Sequence, residues 1–337
     1  MKAAVLYEPQ KLVIEEVPVP EIKAGEVLVK IKATAVCGTD IAIYKGKYSI
    51  PSYPVIQGHE SVGIAEACGE GVKTVKPGDP VIINPALFCG KCHNCLNAMS
   101  NMCANGGHLG KDLSGTFVEY AAVPENSLTV MPAGIDFEDA TSLQSLVSVL
   151  RGWERVSVRP GDTVAVIGMG APGLLFSRLA VLAGAKVYSI TRSKWKLDIA
   201  QRYGATPIGA LDGDPVKTLM AATGGRGADL VVEAAGTEQT HAQAADMACQ
   251  GGTLLLYAAI GSKGFSTRPV FFKELTVVGT RGMNRGGYER AVELYSAGKL
   301  DLAPLITHRF RLEDTAEMFD MVNDGRENVL RAVCVFD

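Results

Sequence analysis

A chain of 337 residues, 47% hydrophobic and 20% charged, exceeds the usual size of a single core and is expected to fold as two domains. Its formal charge of −3, without a run of like charges, argues against a surface built to track a phosphate backbone or an anionic membrane, so neither nucleic acid nor membrane is an expected partner. The opening MKAAVLYEP lacks an apolar signal core, and no apolar stretch nears the roughly 20 residues of a spanning helix, so a cytoplasmic protein is expected.

The first third alternates short apolar runs (KAAVLY, GEVLVKIKATAV, SVGIAEAC) with glycine and proline turns (PSYP, KPGDP), the pattern of an antiparallel, barrel-like β domain with no long helix. From about Asp139 the pattern changes: ATSLQSLVSVLRGWERV carries apolar residues at helical spacing and ends in the turn RPGD. The strand TVAVI, the helix LLFSRLAVLAGA, the strand KVYSI, the helix KWKLDIAQRYGA and the strands DLVVEAA and GTLLLYAAI follow, an alternation that predicts a parallel, doubly wound sheet in an α/β domain. After the strand ELTVVGT come a helix YERAVELYSAG, the segment LITHRFRLEDTAEMFDMV and a last strand VLRAVCVFD. This tail is expected to return to the first domain, which gives a β domain over residues 1–150 and 288–337 and an α/β domain over 151–287.

Four of the eight cysteines, Cys89, Cys92, Cys95 and Cys103, crowd into a lobe spanning about residues 85–106, and the other four are scattered. So uneven a distribution in a large chain fits metal binding in a reducing compartment better than a disulfide framework. Four thiolates at these spacings can close a tetrahedral shell around Zn²⁺ with no position left for substrate, so this zinc is expected to be structural. Two disulfides, four idle thiols or an iron–sulfur cluster are the alternatives. His93, inside the lobe, reads as a surface residue.

VAVIGMGAPG sets Gly168, Gly170 and Gly173, with Pro172, between a strand and a helix, where glycine permits a tight turn and close approach to a pyrophosphate. The helix N-terminus then offers free N–H groups to the anion. An NAD site would carry Asp or Glu at the end of the next strand, but the chain reads SITRSKWK. Thr191 takes the acid's place, and Arg192, Ser193 and Lys196 follow, groups suited to a 2′-phosphate, so NADP is favoured over NAD. The other reading is that Arg192 is a solvated loop cation and either cofactor is accepted.

Cys37 in VCGTD and His59 and Glu60 in PVIQGHESVG supply a thiolate, an imidazole and a carboxylate near strand ends, all zinc-ligand types. In order, CGTD, GHE, KPGD, the four-cysteine lobe, GTFVEY, RPGDTVAVIGMGAPG and LITHRF run through essentially the whole chain. With these landmarks the chain resembles the zinc-dependent medium-chain alcohol and polyol dehydrogenases. The resemblance implies a GroES-like catalytic β domain, a Rossmann dinucleotide-binding domain, and hydride transfer between an alcohol or polyol, or its carbonyl, and NADP or NAD. It also implies catalytic zinc ligands at Cys37 and His59, with Glu60 a direct or alternating ligand and Thr39 the hydroxyl that receives the alcohol proton.

Two positions depart from the family pattern. The remaining ligand position, a glutamate in the polyol branch, falls on Gln144, a neutral and poorer ligand. The histidine that often passes the proton outward is Ala42. A zinc-free reductase of the same superfamily, or a non-catalytic cofactor-binding paralogue, is the alternative function. The substrate is expected to be a small molecule of undetermined identity, met by strand ends near Tyr44, Phe88 and the 280s loop, where Arg281 and Arg285 stand. Relatives form homodimers or homotetramers, and the sheet edge near GTLLLYAAI and ELTVVGT is the expected pairing surface. Asp40 and Glu119 are expected to support structure near the site; Cys68, Cys249 and Cys334 read as core, and His108, His241 and His308 as surface residues.

Overall fold

The apolar runs of the first third become strands because their residues alternate between two faces. In the computed structural model, which describes residues 1–258, 266–284 and 286–337, β1 (Lys2–Glu8) pairs antiparallel with β2 (Lys11–Glu16) and with β4 (Val55–Ile56). Between them in sequence, β3 (Glu26–Ala35) shows the period most clearly: Val27, Val29, Ile31, Ala33 and Ala35 are all fully buried. Each buried valine or isoleucine contributes about 1.5–3 kcal/mol of apolar burial. The short helix α1 (Gly38–Tyr44) follows β3, and β5 (Glu60–Cys68) runs back antiparallel to it with Glu60 opposite Ala35. Next come β6 (Pro80–Ile83), the small pair β7 (Ala86–Leu87) and β8 (Gly107–His108) around the helix α2 (His93–Leu96), then β9 (Tyr120–Pro124) and β10 (Leu128–Val130). The helical pattern that starts near Asp139 is realised as two helices, α3 (Phe137–Thr141) and α4 (Leu143–Trp153), which meet at Ser142.

A parallel sheet follows, built from β11 (Thr163–Ile167), α5 (Ala171–Leu182), β12 (Lys186–Thr191), α6 (Lys194–Arg202), β13 (Thr206–Gly209), α7 (Pro215–Ala222), β14 (Ala228–Glu233), α8 (Glu238–Met247), β15 (Ala248–Leu256), α9 (Arg268–Phe272) and β16 (Thr276–Gly279). Its strand order is β13-β12-β11-β14-β15-β16, and every pairing is parallel. Val164, Ala165 and Val166 in the central β11 are fully buried in succession, as a strand covered on both faces requires. The order reverses between β11 and β14, so a crevice outside their carboxyl ends is the place for a ligand. Among these elements β13, α7, α8 and α9 have no counterpart in the sequence reading. Pro207 interrupts the strand pattern of β13 and is tolerated because β13 is an edge strand.

The chain then forms α10 (Gly287–Ser296), β17 (His308–Phe310), α11 (Thr315–Asp324) and β18 (Ala332–Val335). Strand β18 pairs antiparallel with β3, so the tail completes the sheet ordered β10-β6-β5-β3-β18-β17, with β9 also on β3. Two units result, Met1–Val147 with Met283–Asp337, and Ser148–Gly282. No helix among the described residues is long and apolar enough to cross a membrane.

Candidate active site

Cys37 ends the extended chain after β3 and caps α1, and Asp40 in the first turn of that helix reaches back so that its Oδ2 accepts the Cys37 N–H at 2.9 Å. The same buried carboxylate accepts the Gly58 N–H at 3.2 Å and stands 3.3 Å from His59 Nδ1. Asp40 thereby joins the turn before β5 to the start of α1, and brings His59 beside Cys37. Burial pushes the His59 imidazole down, but the Asp40 carboxylate and the Cys37 sulfur outweigh it and hold the ring well above its ordinary value. Glu60 opens β5, and its Oε2 accepts a hydrogen bond from Arg331 Nη2 at 2.6 Å, both groups being buried. Arg331 also donates to Ser145 Oγ at 2.7 Å and to the Thr141 carbonyl at 3.2 Å.

The result is one thiol, one imidazole and one carboxylate whose ligand atoms all lie within 4.8 Å of one another. That set suits a divalent ion of intermediate softness, zinc above all, and three protein ligands leave a coordination position open. His108 packs edge-on against His59, with ring centroids 5.0 Å apart and Nδ1 2.7 Å from the Leu109 carbonyl. Burial, with the charge of His59, pushes His108 down to about 4. Thr39 is half-buried in the first turn of α1. Gln144 on α4 is buried beside Ser145, accepts a hydrogen bond from Tyr288 through Oε1 and directs Nε2 at Met283.

In the lobe, the sulfur pairs Cys92–Cys95, Cys103–Cys89 and Cys92–Cys103 are 3.5, 3.6 and 3.9 Å apart. A disulfide needs about 2.05 Å, and all four cysteines are free. Four sulfurs at about 2.3 Å from one central ion would stand about 3.8 Å apart in a tetrahedron, so the spacing fits a single zinc. A hydrogen bond from the Lys91 backbone N–H helps draw the Cys89 thiol down to about 6. His93 is exposed at the start of α2.

In the parallel sheet, Gly168 follows β11 at φ +96°, and a β-carbon there would meet the Ala234 carbonyl carbon at 2.9 Å. A β-carbon on Gly173 would fall 1.8 Å from the Gly168 carbonyl oxygen, so this helix can approach the turn only without one. Gly170 caps α5 with no side-chain hydrogen bond, Pro172 sits in its first turn, and the leading N–H groups are left for an anion. At the end of β12, Thr191 Oγ1 accepts the Ser193 N–H at 3.3 Å and Arg192 is exposed. Lys196 lies over the Trp195 ring, 5.2 Å from its centroid, and burial lowers its affinity for a proton.

Residues 23–133 match the family model described as alcohol dehydrogenase GroES-like domain, and residues 171–297 match the one described as zinc-binding dehydrogenase. An L-threonine 3-dehydrogenase of Bacillus subtilis is 37% identical over 323 residues, covering 93% of this chain and 92% of the relative. The chain belongs to the zinc-type medium-chain dehydrogenases. Among solved structures, a protein of Sinorhizobium meliloti 1021 bound to NADP superposes with a TM-score of 0.92 at 29% identity, over 99% of both chains. An alcohol dehydrogenase of Escherichia coli CFT073 complexed with NADH gives a TM-score of 0.91 at 27% identity, over 100% of this chain and 99% of that one. This dehydrogenase is accordingly a zinc-containing oxidoreductase that transfers hydride between an alcohol or polyol, or its carbonyl, and an NAD(P) cofactor, with a GroES-like and a Rossmann domain.

Several expectations need correction. Tyr44 is buried in the core of the dehydrogenase, its ring edge-on to Phe319 and its hydroxyl donating to Asp320 at 2.8 Å, so its side chain is spent on packing. His241 is buried rather than on the surface, with Nε2 3.0 Å from Glu233 Oε2. His108 and His308 are half-buried, as is Cys68, whereas Cys249 and Cys334 are in the core. Arg281 is exposed, and Arg285 lies outside the described residues. Sequence reasoning missed Arg331, although a charged residue inside the apolar run VLRAVCVFD is itself a sign of a buried ion pair. It also missed Tyr288, for which no local signal exists.

Proposed function

We propose that this dehydrogenase oxidises a small alcohol or polyol, and reduces the corresponding carbonyl, at a catalytic zinc held by Cys37, His59 and Glu60, with NADP preferred to NAD and a second, structural zinc held by Cys89, Cys92, Cys95 and Cys103. The observation that carries the reading is the convergence of the Cys37, His59 and Glu60 ligand atoms within 4.8 Å. When bound, zinc supplies Lewis acidity toward the substrate oxygen and the nicotinamide a hydride acceptor. Asp40 orients the His59 ring through Nδ1, which leaves Nε2 as its ligand atom. Arg331 holds Glu60 in place and offsets its charge. The Thr39 hydroxyl takes the substrate's proton, and with Ala42 in the usual histidine position that proton leaves to water, so a chemistry-limited rate should depend on buffer concentration.

NADP preference is supported by Thr191 in place of an acid and by Arg192, Ser193 and Lys196 beyond it, and the Gly168–Gly173 turn with Gly170 and Pro172 would receive the pyrophosphate. The proposed assembly is a homodimer or homotetramer, supported by the edge position of β16 among the described residues and by the exposed Phe271 and Phe272 that precede it in the chain.

Metal content on freshly purified protein, combined with NADP⁺ and NAD⁺ reduction on a panel of alcohols, polyols and L-threonine, tests this directly. Two zinc ions per chain with NADP⁺-linked turnover is the expected result; zinc in the lobe alone and no turnover would overturn the catalytic centre. Arg192→Ala should weaken NADP⁺ about tenfold and leave NAD⁺ unchanged, the loss of one charge-assisted phosphate contact.

A further inference from the structure

Gln144 occupies the family's remaining ligand position with a carboxamide, and a carboxamide can ligate zinc only through its oxygen, because the nitrogen lone pair is delocalised into the carbonyl. That oxygen is already engaged. Tyr288, in the first turn of α10, donates its hydroxyl to Gln144 Oε1 at 2.5 Å, and Gln144 Nε2 points at Met283 Sδ 2.8 Å away. The Tyr288 hydroxyl is also 3.2 Å from Met283 Sδ and 3.5 Å from Asn84 Oδ1, an oxygen that itself accepts the Ala86 N–H. Gln144 is 2% exposed and Tyr288 1% exposed, so both polar groups are satisfied from within the fold. The pair adjoins the metal-ligand cluster: Ser145, next to Gln144 on α4, shares the Arg331 guanidinium with Glu60.

We propose that Tyr288 is a positioning residue that withholds Gln144 from the catalytic metal, so that the ion is held by Cys37, His59 and Glu60 alone and keeps one coordination position open. The proposal rests on the reading of those three residues as ligands. The pairing works because the residue is glutamine. A carboxylate at this position would have two oxygens and a full charge, enough to satisfy Tyr288 with one oxygen and a metal with the other. The amide has one oxygen, uncharged, and a buried phenol hydroxyl at 2.5 Å keeps it.

Cobalt(II) loaded in place of zinc reports the catalytic coordination shell through its visible ligand-field bands. Cys37→Ala should remove one cobalt per chain, which identifies the catalytic ion; if it removes none, the ligand assignment itself fails and not merely the role of Tyr288. Given that control, Gln144→Ala should leave the bands unshifted and cobalt affinity within about twofold, whereas Tyr288→Phe should free Oε1, shift the bands and tighten cobalt about tenfold. The double variant Tyr288→Phe with Gln144→Ala should return to the wild-type spectrum. Shifted bands and weakened cobalt in Gln144→Ala alone, or wild-type bands in Tyr288→Phe, would overturn the proposal. If Tyr288→Phe does not fold, Gln144→Glu decides with the phenol in place: its second carboxylate oxygen should reach the ion, shift the bands and tighten cobalt, and wild-type bands in Gln144→Glu would overturn the proposal.

Discussion

His241 packs at 3% exposure with its Nε2 3.0 Å from both Glu233 Oε2 and the Ala258 carbonyl, while Glu233 Oε1 accepts the N–H groups of Ala235 and Gly236. The pair holds the chain after β14 against the chain after β15. Replacing His241 with leucine strands a buried carboxylate, and we expect a stability loss of about 3 kcal/mol, read by chemical denaturation of the purified protein. A loss under about 1 kcal/mol would mean that the Ala235 and Gly236 N–H groups suffice for Glu233. Asp229 gives a pH-dependent counterpart. Its carboxylate accepts from Arg226 Nη1 at 2.9 Å and from the Thr163 N–H at 2.8 Å, and the bond from Arg226 is the chief reason its acidity lies below the ordinary 3.8. A depressed folded value means stability present above the unfolded value and lost as pH falls through the folded one. Asp229→Asn should therefore cost about 1 kcal/mol at pH 7, a modest figure because Arg226 is largely exposed. The difference from wild type should close below about pH 4 in melting curves taken down the pH scale.

At the scale of elements, the four-cysteine lobe has almost no core of its own. α2 and the chain around it bury no large side chain, and Leu96, Met99 and Met102 are exposed. If the proposed structural zinc is bound there, the metal would supply the shape that a core does not. We expect Cys103→Ser to lose one zinc per chain and to open residues 85–106 to protease while the parallel sheet stays intact, measured by limited proteolysis with mass spectrometry. A lobe that resists protease without its metal would show that β7 and β8 suffice. The parallel sheet is legible in the sequence, because each strand-turn-helix unit is written in a short stretch of chain. Elements β13 and α7 are not: TPIG is too brief and proline-broken to show a strand period, and α7 declares itself mainly through Asp214, which accepts the Val216 N–H at its start.

At the scale of the whole molecule, β16 is the last strand of the parallel sheet among the described residues, and Phe271 at 77% and Phe272 at 62% exposure precede it in the chain. An edge strand among the described residues, preceded by two exposed aromatic rings, favours pairing with a second copy. Phe271→Glu with Val277→Lys should convert the assembly to monomers in light scattering after gel filtration; a wild-type protein already monomeric would sink the idea. Cysteine spacing, the glycine turn and the alternation of strands with helices were determined by the sequence alone, since each depends on chain geometry over a few residues. Only the tertiary structure decided the partners. Glu60 finds Arg331 across 271 residues, and Gln144 finds Tyr288 across 144. A buried polar group takes whatever distant segment packs against it, and no local pattern in the chain encodes that choice.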